Sequence, residues 1–374
     1  MTTAGMSELR RWCAVTFGVV VLVSIPVALQ ARPAHEVGSS ATELLAQATS
    51  STSVPYSGYV ESRGTLQLPI SDQFTDVADL LGGKTTMRVW WRSADLWRVD
   101  SLDVTGETDL YHSRTQTTSW DYEHNRASLS KHVDVRLPQS ADLLPPELAR
   151  RLLEDVTAAE VRPIAPTRVA GVDAQGLRLT PSAHQSSIDH VDLWLEPSTG
   201  LPVKVAVFGD GQTTAAVETA FVDLDLSEPS LSQTTLTLSP SAELERDDIV
   251  DIAAAANRYS PLAAPRSLAG LDRRRDGLGA VGLYGEGATL LVAIPLWDHA
   301  AVPLRDQLHS TPGAVETPIG TRLAASPLNL VLTTPEFENG SWLLAGTVTP
   351  QALRRAAAHI ASHPVRFRRQ FRQP

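Results

Sequence analysis

Apolar residues follow three patterns along this chain, and each pattern predicts a different element. The first is a run from Trp12 to Leu29 without a charged residue. Eighteen residues at about 1.5 Å rise would reach about 27 Å as a helix, near the lower limit for crossing a hydrocarbon core. A buried helix of a globular core would show polar positions at a 3.6-residue period, and this run has almost none. It reads as a secretory h-region or a short membrane anchor, covering residues 1–31. Arg10 and Arg11 precede it with only Glu8 opposing, which predicts a cytoplasmic N-terminus and an extracytoplasmic remainder, secreted or anchored. Ala28 and Ala31 offer small residues for cleavage, Leu29 spoils the site, and the sequence leaves cleavage and retention open.

The second pattern has helical period. ATELLAQATS at 41–50 places Leu44, Leu45 and Ala48 on one face, and PPELARRLLEDV at 145–156 starts on two prolines suited to a first turn. ELERDDIVDIAAAANRY at 243–259, AAVPLRDQLHS and a closing helix after Thr349 and Pro350 are expected likewise.

The third pattern alternates. KTTMRVWWRSADLWRVDSL predicts a hairpin turning at 93–95, with Met87, Val89 and Trp91 on one face and Arg88, Trp90 and Arg92 on the other. A second hairpin is expected in TDLYHSRTQTTSWDYEHNRASLS, turning at 123–125, and a tight turn near Asp173 to Gly176 in RVAGVDAQGLRLTP. Val191, Leu193 and Leu195 alternate with Asp192, Trp194 and Glu196; after ProSerThrGly at 197–200 the apolar face continues through Val203, Val205 and Val207. A last strand covers about 214–226. Sequential antiparallel strands with few helices predict an α+β protein built on one large curved sheet with covering helices. Serine-rich residues 227–241 break the alternation. The units expected are a domain at 40–226, a linker and helix at 227–256, a smaller C-terminal α+β domain at 257–363 with two strands, a helix, three strands and a helix, and a basic tail at 364–374.

At 374 residues, 43% hydrophobic and 20% charged, the chain exceeds one ordinary core. Its formal charge of −10 argues against a nucleic-acid partner. Cys13, the one cysteine, lies at the very start of the apolar run, so the part after that run has no thiol for a nucleophile, metal site or disulfide. Nucleophile-elbow, phosphate-loop, H-E-x-x-H and calcium-loop patterns do not occur. No catalytic residue, metal site or cofactor is expected. His359 and His363 have helical spacing, but a helix C-terminus explains them better than a metal. Asp247, Asp248 and Asp251 with Glu243 and Glu245 read as a solvated helix start, and GLYGEG at 282–287 as a hairpin turn.

Two features remain as candidate sites. Trp90, Trp91, Trp97, Trp120, Tyr122 and Trp194 all fall in the curved-sheet region; with Val205 and Val207 they are the candidates for an apolar ligand cavity, against the alternative that they fill the core. After Glu338 no acidic residue occurs, and Arg366, Arg368, Arg369 and Arg372 with interleaved phenylalanines are candidates for contact with anionic lipid or an acidic partner, against that of a solvated terminus.

ATELLAQATSS followed by VPYSGYVESRG, the hairpin TMRVWWRSADLWRVDSL, and DLWLEPSTGLPVKVAVFG together resemble the LolA-like superfamily of envelope lipid and lipoprotein binders, and more closely the MucB/RseB-type regulators. The last stretch resembles that family's W-x-D-x-x-T-G-L-P hairpin, with Glu196 in the acidic position and Thr199, Gly200, Leu201 and Pro202 following. The resemblance spans about 40–226. It implies a half-open β-barrel closed by helices, an acyl lipid or lipoprotein ligand on the concave face, and an anti-sigma factor or other membrane protein as partner. The expected function is a non-enzymatic envelope-stress sensor or regulator, with a lipoprotein or lipid carrier as alternative and an exported hydrolase as the least supported reading.

Overall fold

The computed structural model describes residues 38–363 except 69–74, 103–105, 115, 132–135, 246–255, 259, 275–278 and 335–339, together with Trp12, Thr16, Ala34 and His35. The apolar run from Trp12 to Leu29 and the arginine tail thus lie outside the described residues, apart from Trp12 and Thr16. Among the described residues no helix is long and apolar enough to cross a membrane.

Helix α1 (Ala41–Ser50) begins on a capping box. Ser40 Oγ accepts from Glu43 N at 3.2 Å, and the Glu43 carboxylate accepts from Ser40 N at 2.8 Å. Twelve strands then make one sheet: β1 (Tyr56–Gly64), β2 (Lys84–Ser93), β3 (Leu96–Leu102), β4 (Glu107–Ser113), β5 (Gln116–Asp121), β6 (Arg126–Lys131), β7 (Val161–Val169), β8 (Val172–Leu179), β9 (Ile188–Leu195), β10 (Pro202–Gly209), β11 (Val217–Asp225) and β12 (Glu243–Glu245). Their order is β12-β6-β5-β4-β3-β2-β1-β11-β10-β9-β8-β7, antiparallel except for β12 on β6, and the sheet is open. One face carries a continuous apolar core. Helix α1, helix α2 (Thr75–Gly82), a 3-10 turn at Ser140–Leu143 and helix α3 (Pro145–Leu152) pack on it through Leu44, Ala48, Leu80, Leu81, Leu143, Leu144 and Ala149. The α+β class with a large antiparallel sheet and covering helices is therefore as the sequence predicts.

Three local expectations are corrected. The 107–131 region holds three strands, because the chain turns at Arg114 (φ 49°) as well as at Asn125 (φ 51°). The turn expected near Asp173 to Gly176 falls instead at Ala170 and Gly171, where φ is +48° and +81°, the pair of positive values of a type I′ hairpin turn. Residues 243–245, expected to start a helix, are strand β12, reached by a strap through the short helix α4 (Leu231–Thr234) that also anchors on β2, where the Pro229 carbonyl and Glu228 accept from Arg92. The rest of that helix, with Asp247, Asp248 and Asp251, lies largely outside the described residues.

A small hairpin, β13 (Ser267–Leu268) and β14 (Leu271–Asp272), leads into a second sheet of β15 (Gly282–Tyr284), β16 (Leu291–Leu296), β17 (Ala314–Thr317), β18 (Gly320–Ala325), β19 (Leu328–Thr333) and β20 (Ser341–Gly346), ordered β15-β16-β20-β19-β18-β17. Four strands thus follow helix α5 (Asp298–Ser310), where three were expected. Helix α5 packs on one face through Leu304 and Leu308, and helix α6 (Pro350–Ser362), capped by Thr349, packs on the other through Leu353, Ala356 and Ile360. The β8–β9 loop stitches the two sheets together: Ser187 N donates to Thr347 O at 3.1 Å and Thr349 N to Gln185 O at 2.7 Å.

Candidate functional site

The helix-covered face of the large sheet is built around one row of cross-strand neighbours. Tyr56 pairs with Trp91, Trp91 with Trp97, Trp97 with His112, His112 with Thr117 and Thr117 with Ser130. Alternation places all of these side chains on the same side, and their rings stack as a ladder. Tyr56 and Trp91 lie 5.8 Å apart at 4°, Trp91 and Trp97 5.5 Å at 3°, and Trp97 and His112 5.0 Å at 11°. Phe221 of β11 closes one end edge-on to Tyr56 at 5.6 Å. His112 Nδ1 bonds Thr117 Oγ1 at 2.9 Å at the other end. Such offset pairs each contribute about 0.5–1.5 kcal/mol beyond the area they bury.

Buried hydroxyls without partners punctuate this apolar face. Tyr56 Oη, Ser62 Oγ and Thr219 Oγ1 have no hydrogen bond, and Ser62 and Thr219 sit opposite one another across β1 and β11. Burial, and secondarily the charge of Glu147, raises the Tyr56 phenol well above its ordinary range and holds it as a neutral donor. A cleft above the ladder is lined by Ala48, Ser51, Thr52, Val54, Tyr56, Trp91, Pro146, Glu147 and Arg150. It has room for about one water. Leu143, Leu144 and Ala149 fill the rest of the neighbouring face, so an acyl chain enters only if α3 and the turn before it move aside.

The structure distributes the tryptophans over both faces. Trp91 and Trp97 are rungs of the ladder, and Val205 and Val207 lie buried on the same helix-covered face beside Thr219 and Val217. Trp90 points the other way, with the Arg98 guanidinium 4.9 Å from its ring, and Trp120 shares that opposite face next to Asp109. Trp194 also lies opposite to Leu193 and Leu195, under Lys204 at 5.2 Å, its Nε1 donating to Ala165 O at 3.2 Å. Tyr122 is in a turn and 69% exposed. The ladder's other members, Tyr56, His112 and Phe221, are not marked by their local sequence; register brings Tyr56 and His112 into the row, and Phe221, opposite Val60, reaches Tyr56 from the side.

On the opposite face lies the one group of three close carboxylates found among the described residues, Asp100, Glu107 and Asp109. Two guanidiniums occupy it. Arg98 bonds Asp100 Oδ1 at 2.5 Å and Asp109 Oδ2 at 2.8 Å, while Arg88 meets Asp100 at 3.1 Å and pairs with Glu107. Three carboxylates against two cations leave one charge unmatched where Asp100 is 0% and Asp109 3% exposed. Burial, then repulsion from Asp100, pushes Asp109 up to about 7, despite Arg98. An unfolded aspartate titrates near 3.8. Between those values the folded chain keeps a proton that the unfolded chain has lost, so stability falls as pH rises from about 4 to about 7. Asp109→Asn is expected to flatten that slope in urea titrations across the window and to raise stability at pH 8; an unchanged slope would refute the assignment.

The hairpin after β9 is organised by Glu196. Its carboxylate accepts from Ser198 N, Ser198 Oγ, Thr199 N and Thr199 Oγ1 at 2.6–3.1 Å. Burial alone would raise this group, but the donation from Thr199 and Ser198 outweighs it and holds the carboxyl below its ordinary range. Gly200 takes φ +73° and abuts the Gln47 backbone of α1. The hairpin therefore positions the helix that borders the cleft. His359 and His363 stack at 4.3 Å at the end of α6, where His363 N also caps His359 O at 3.0 Å.

An open sheet, antiparallel but for β12, with a helix-covered aromatic face defines an α+β fold. Solved structures similar to it include the MucA/MucB complex of Pseudomonas aeruginosa, at 18% identity and TM-score 0.47 over 87% of this chain and 98% of that one. MucB crystallised alone matches at 16% and 0.42, over 85% of this chain and 96% of that one. A LolA superfamily protein from Nitrosomonas europaea matches at 11% and 0.23, over 53% of this chain and 99% of that one. Both groups that the sequence motifs resemble are thus among the likenesses, which concern fold and not activity. No protein-family model matches the sequence, and neither does any curated protein.

Proposed function

We propose that this chain is a non-enzymatic extracytoplasmic regulator that holds an acyl lipid or the lipid part of a lipoprotein on the helix-covered face of its large sheet and a membrane protein, such as an anti-sigma factor, through its second sheet. The observation carrying the reading is the ladder from Tyr56 to His112, in register across four strands and closed edge-on by Phe221 of a fifth, an apolar surface interrupted by the unpaired hydroxyls of Tyr56, Ser62 and Thr219. Stacked rings supply flat apolar area for methylenes, and buried hydroxyls lacking partners supply donors for ester or amide carbonyls. The second sheet, hydrogen-bonded to the first at the β8–β9 loop, favours a regulator over a one-domain carrier.

Quenching by brominated acyl chains tests this directly, because bromine quenches only tryptophans it touches. Adding a bromopalmitoylated peptide to the full chain is expected to quench part of its tryptophan emission, and the double variant Trp91→Phe, Trp97→Phe to lose that part. Quenching that survives in the double variant would place the ligand elsewhere, and absence of quenching would remove the acyl ligand.

A further inference from the structure

The second sheet has a groove of its own. Helix α6 covers β19 and β20 on one face but leaves β18 and the edge strand β17 partly open, where Val315 is 44% exposed beside Arg322. Ile319, Leu353 and Ala357 supply the apolar wall of this groove, and Arg322, Arg354 and Asn329 its polar groups. Asn329 is 2% exposed; its Nδ2 donates to Val348 O at 2.8 Å, and its Oδ1, buried, has no partner. Neither the Arg322 nor the Arg354 guanidinium makes a hydrogen bond or ion pair with a described residue, unlike those of Arg88, Arg98, Arg178 and Arg274.

Two guanidiniums without a partner among the described residues call for anions, and a buried carbonyl without one calls for an N–H or O–H donor. The chain's own tail beyond α6 carries Arg366, Arg368, Arg369 and Arg372 and is of the wrong charge. A carboxylate or phosphate headgroup brings acceptors and would leave Asn329 Oδ1 unmatched, whereas an extended peptide brings a donor at every residue. We propose that this groove docks an extended acidic segment of a partner protein, with its carboxylates on Arg322 and Arg354, a backbone N–H on Asn329 Oδ1, and a small apolar side chain between Ile319 and Leu353.

The proposal rests on the reading of the chain as a regulator with a protein partner and places that contact. Its test is the anisotropy of a labelled peptide alternating glutamate and valine, titrated with the full chain. Arg322→Glu and Arg354→Glu are each expected to weaken binding about tenfold or more. Arg355→Glu, exposed on the same helix outside the groove, is expected to leave it unchanged, and a peptide with lysine for glutamate to fail. The proposal is overturned if the acidic peptide does not bind, if Arg355→Glu weakens it as much as the groove variants, or if the groove variants lose phosphatidylglycerol vesicles while keeping the peptide. Bromine quenching reports on the first sheet and peptide anisotropy on the second, so either can fail alone.

Discussion

Trp91→Ala is expected to destabilise the large sheet by about 3–5 kcal/mol, the range for truncating a buried large aromatic. Trp91 is 5% exposed and stacks on both Tyr56 and Trp97, so its removal opens a cavity and breaks two ring contacts. The neighbouring Trp90 provides the control. It is half-buried on the opposite face, where its ring meets Arg88 at 5.9 Å and Arg98 at 4.9 Å. Trp90→Ala should therefore cost roughly 1 kcal/mol, mainly through the cation–π contact. Urea midpoints of the two variants, followed by circular dichroism, decide the matter. Equal shifts would mean that the ladder is not the face on which the sheet's stability rests.

Gly200→Ala is expected to cost about 2–4 kcal/mol, combining the strain of an L-residue at positive φ with the overpacking of a filled contact. A Cβ at this position would stand 2.7 Å from the carbonyl carbon, Cβ and oxygen of Gln47, so α1 must shift before the side chain fits. Gly171 isolates the strain. It has φ +81° with nothing within 4 Å of where a Cβ would stand, and Gly171→Ala should cost only about 1 kcal/mol. The excess at Gly200 measures how tightly the hairpin holds α1, and hydrogen exchange across Ala41–Ser50 should quicken in that variant alone. If the two glycines cost the same, the hairpin does not brace the helix.

Much of this architecture was legible from period and punctuation. In β2 the alternation assigned Met87, Val89 and Trp91 to one face and Arg88, Trp90 and Arg92 to the other, because a strand has no third choice. The helix at 41–50 was marked by Leu44, Leu45 and Ala48 recurring on one face at helical spacing. ProSerThrGly at 197–200 was legible as a turn, since glycine tolerates the positive φ found there.

Where local signals competed, sequence reading failed for definable reasons. Arg114 takes a positive φ without a glycine or asparagine to announce it, so one strand of the 107–131 meander went unseen. Glycine and glutamine inside β8 resembled a turn, yet Gly176 is there because a Cβ would strike the backbone of Ile164 and Ala165. Glu243–Glu245 has a helix former's composition but meets the free edge of β6, and backbone pairing outweighed propensity.

The sequence by itself determined the fold class, the thiol-free composition of everything after Cys13 and the faces of individual strands, since each follows from spacing within one segment. Only the tertiary structure decided which tryptophans work together. Trp90 and Trp91 are adjacent in the chain and lie on opposite sides of the sheet, whereas Tyr56, Trp91, Trp97 and His112 belong to four strands and form one stack. Register sets that association, and register is fixed by hydrogen bonds between strands that no single stretch of sequence contains.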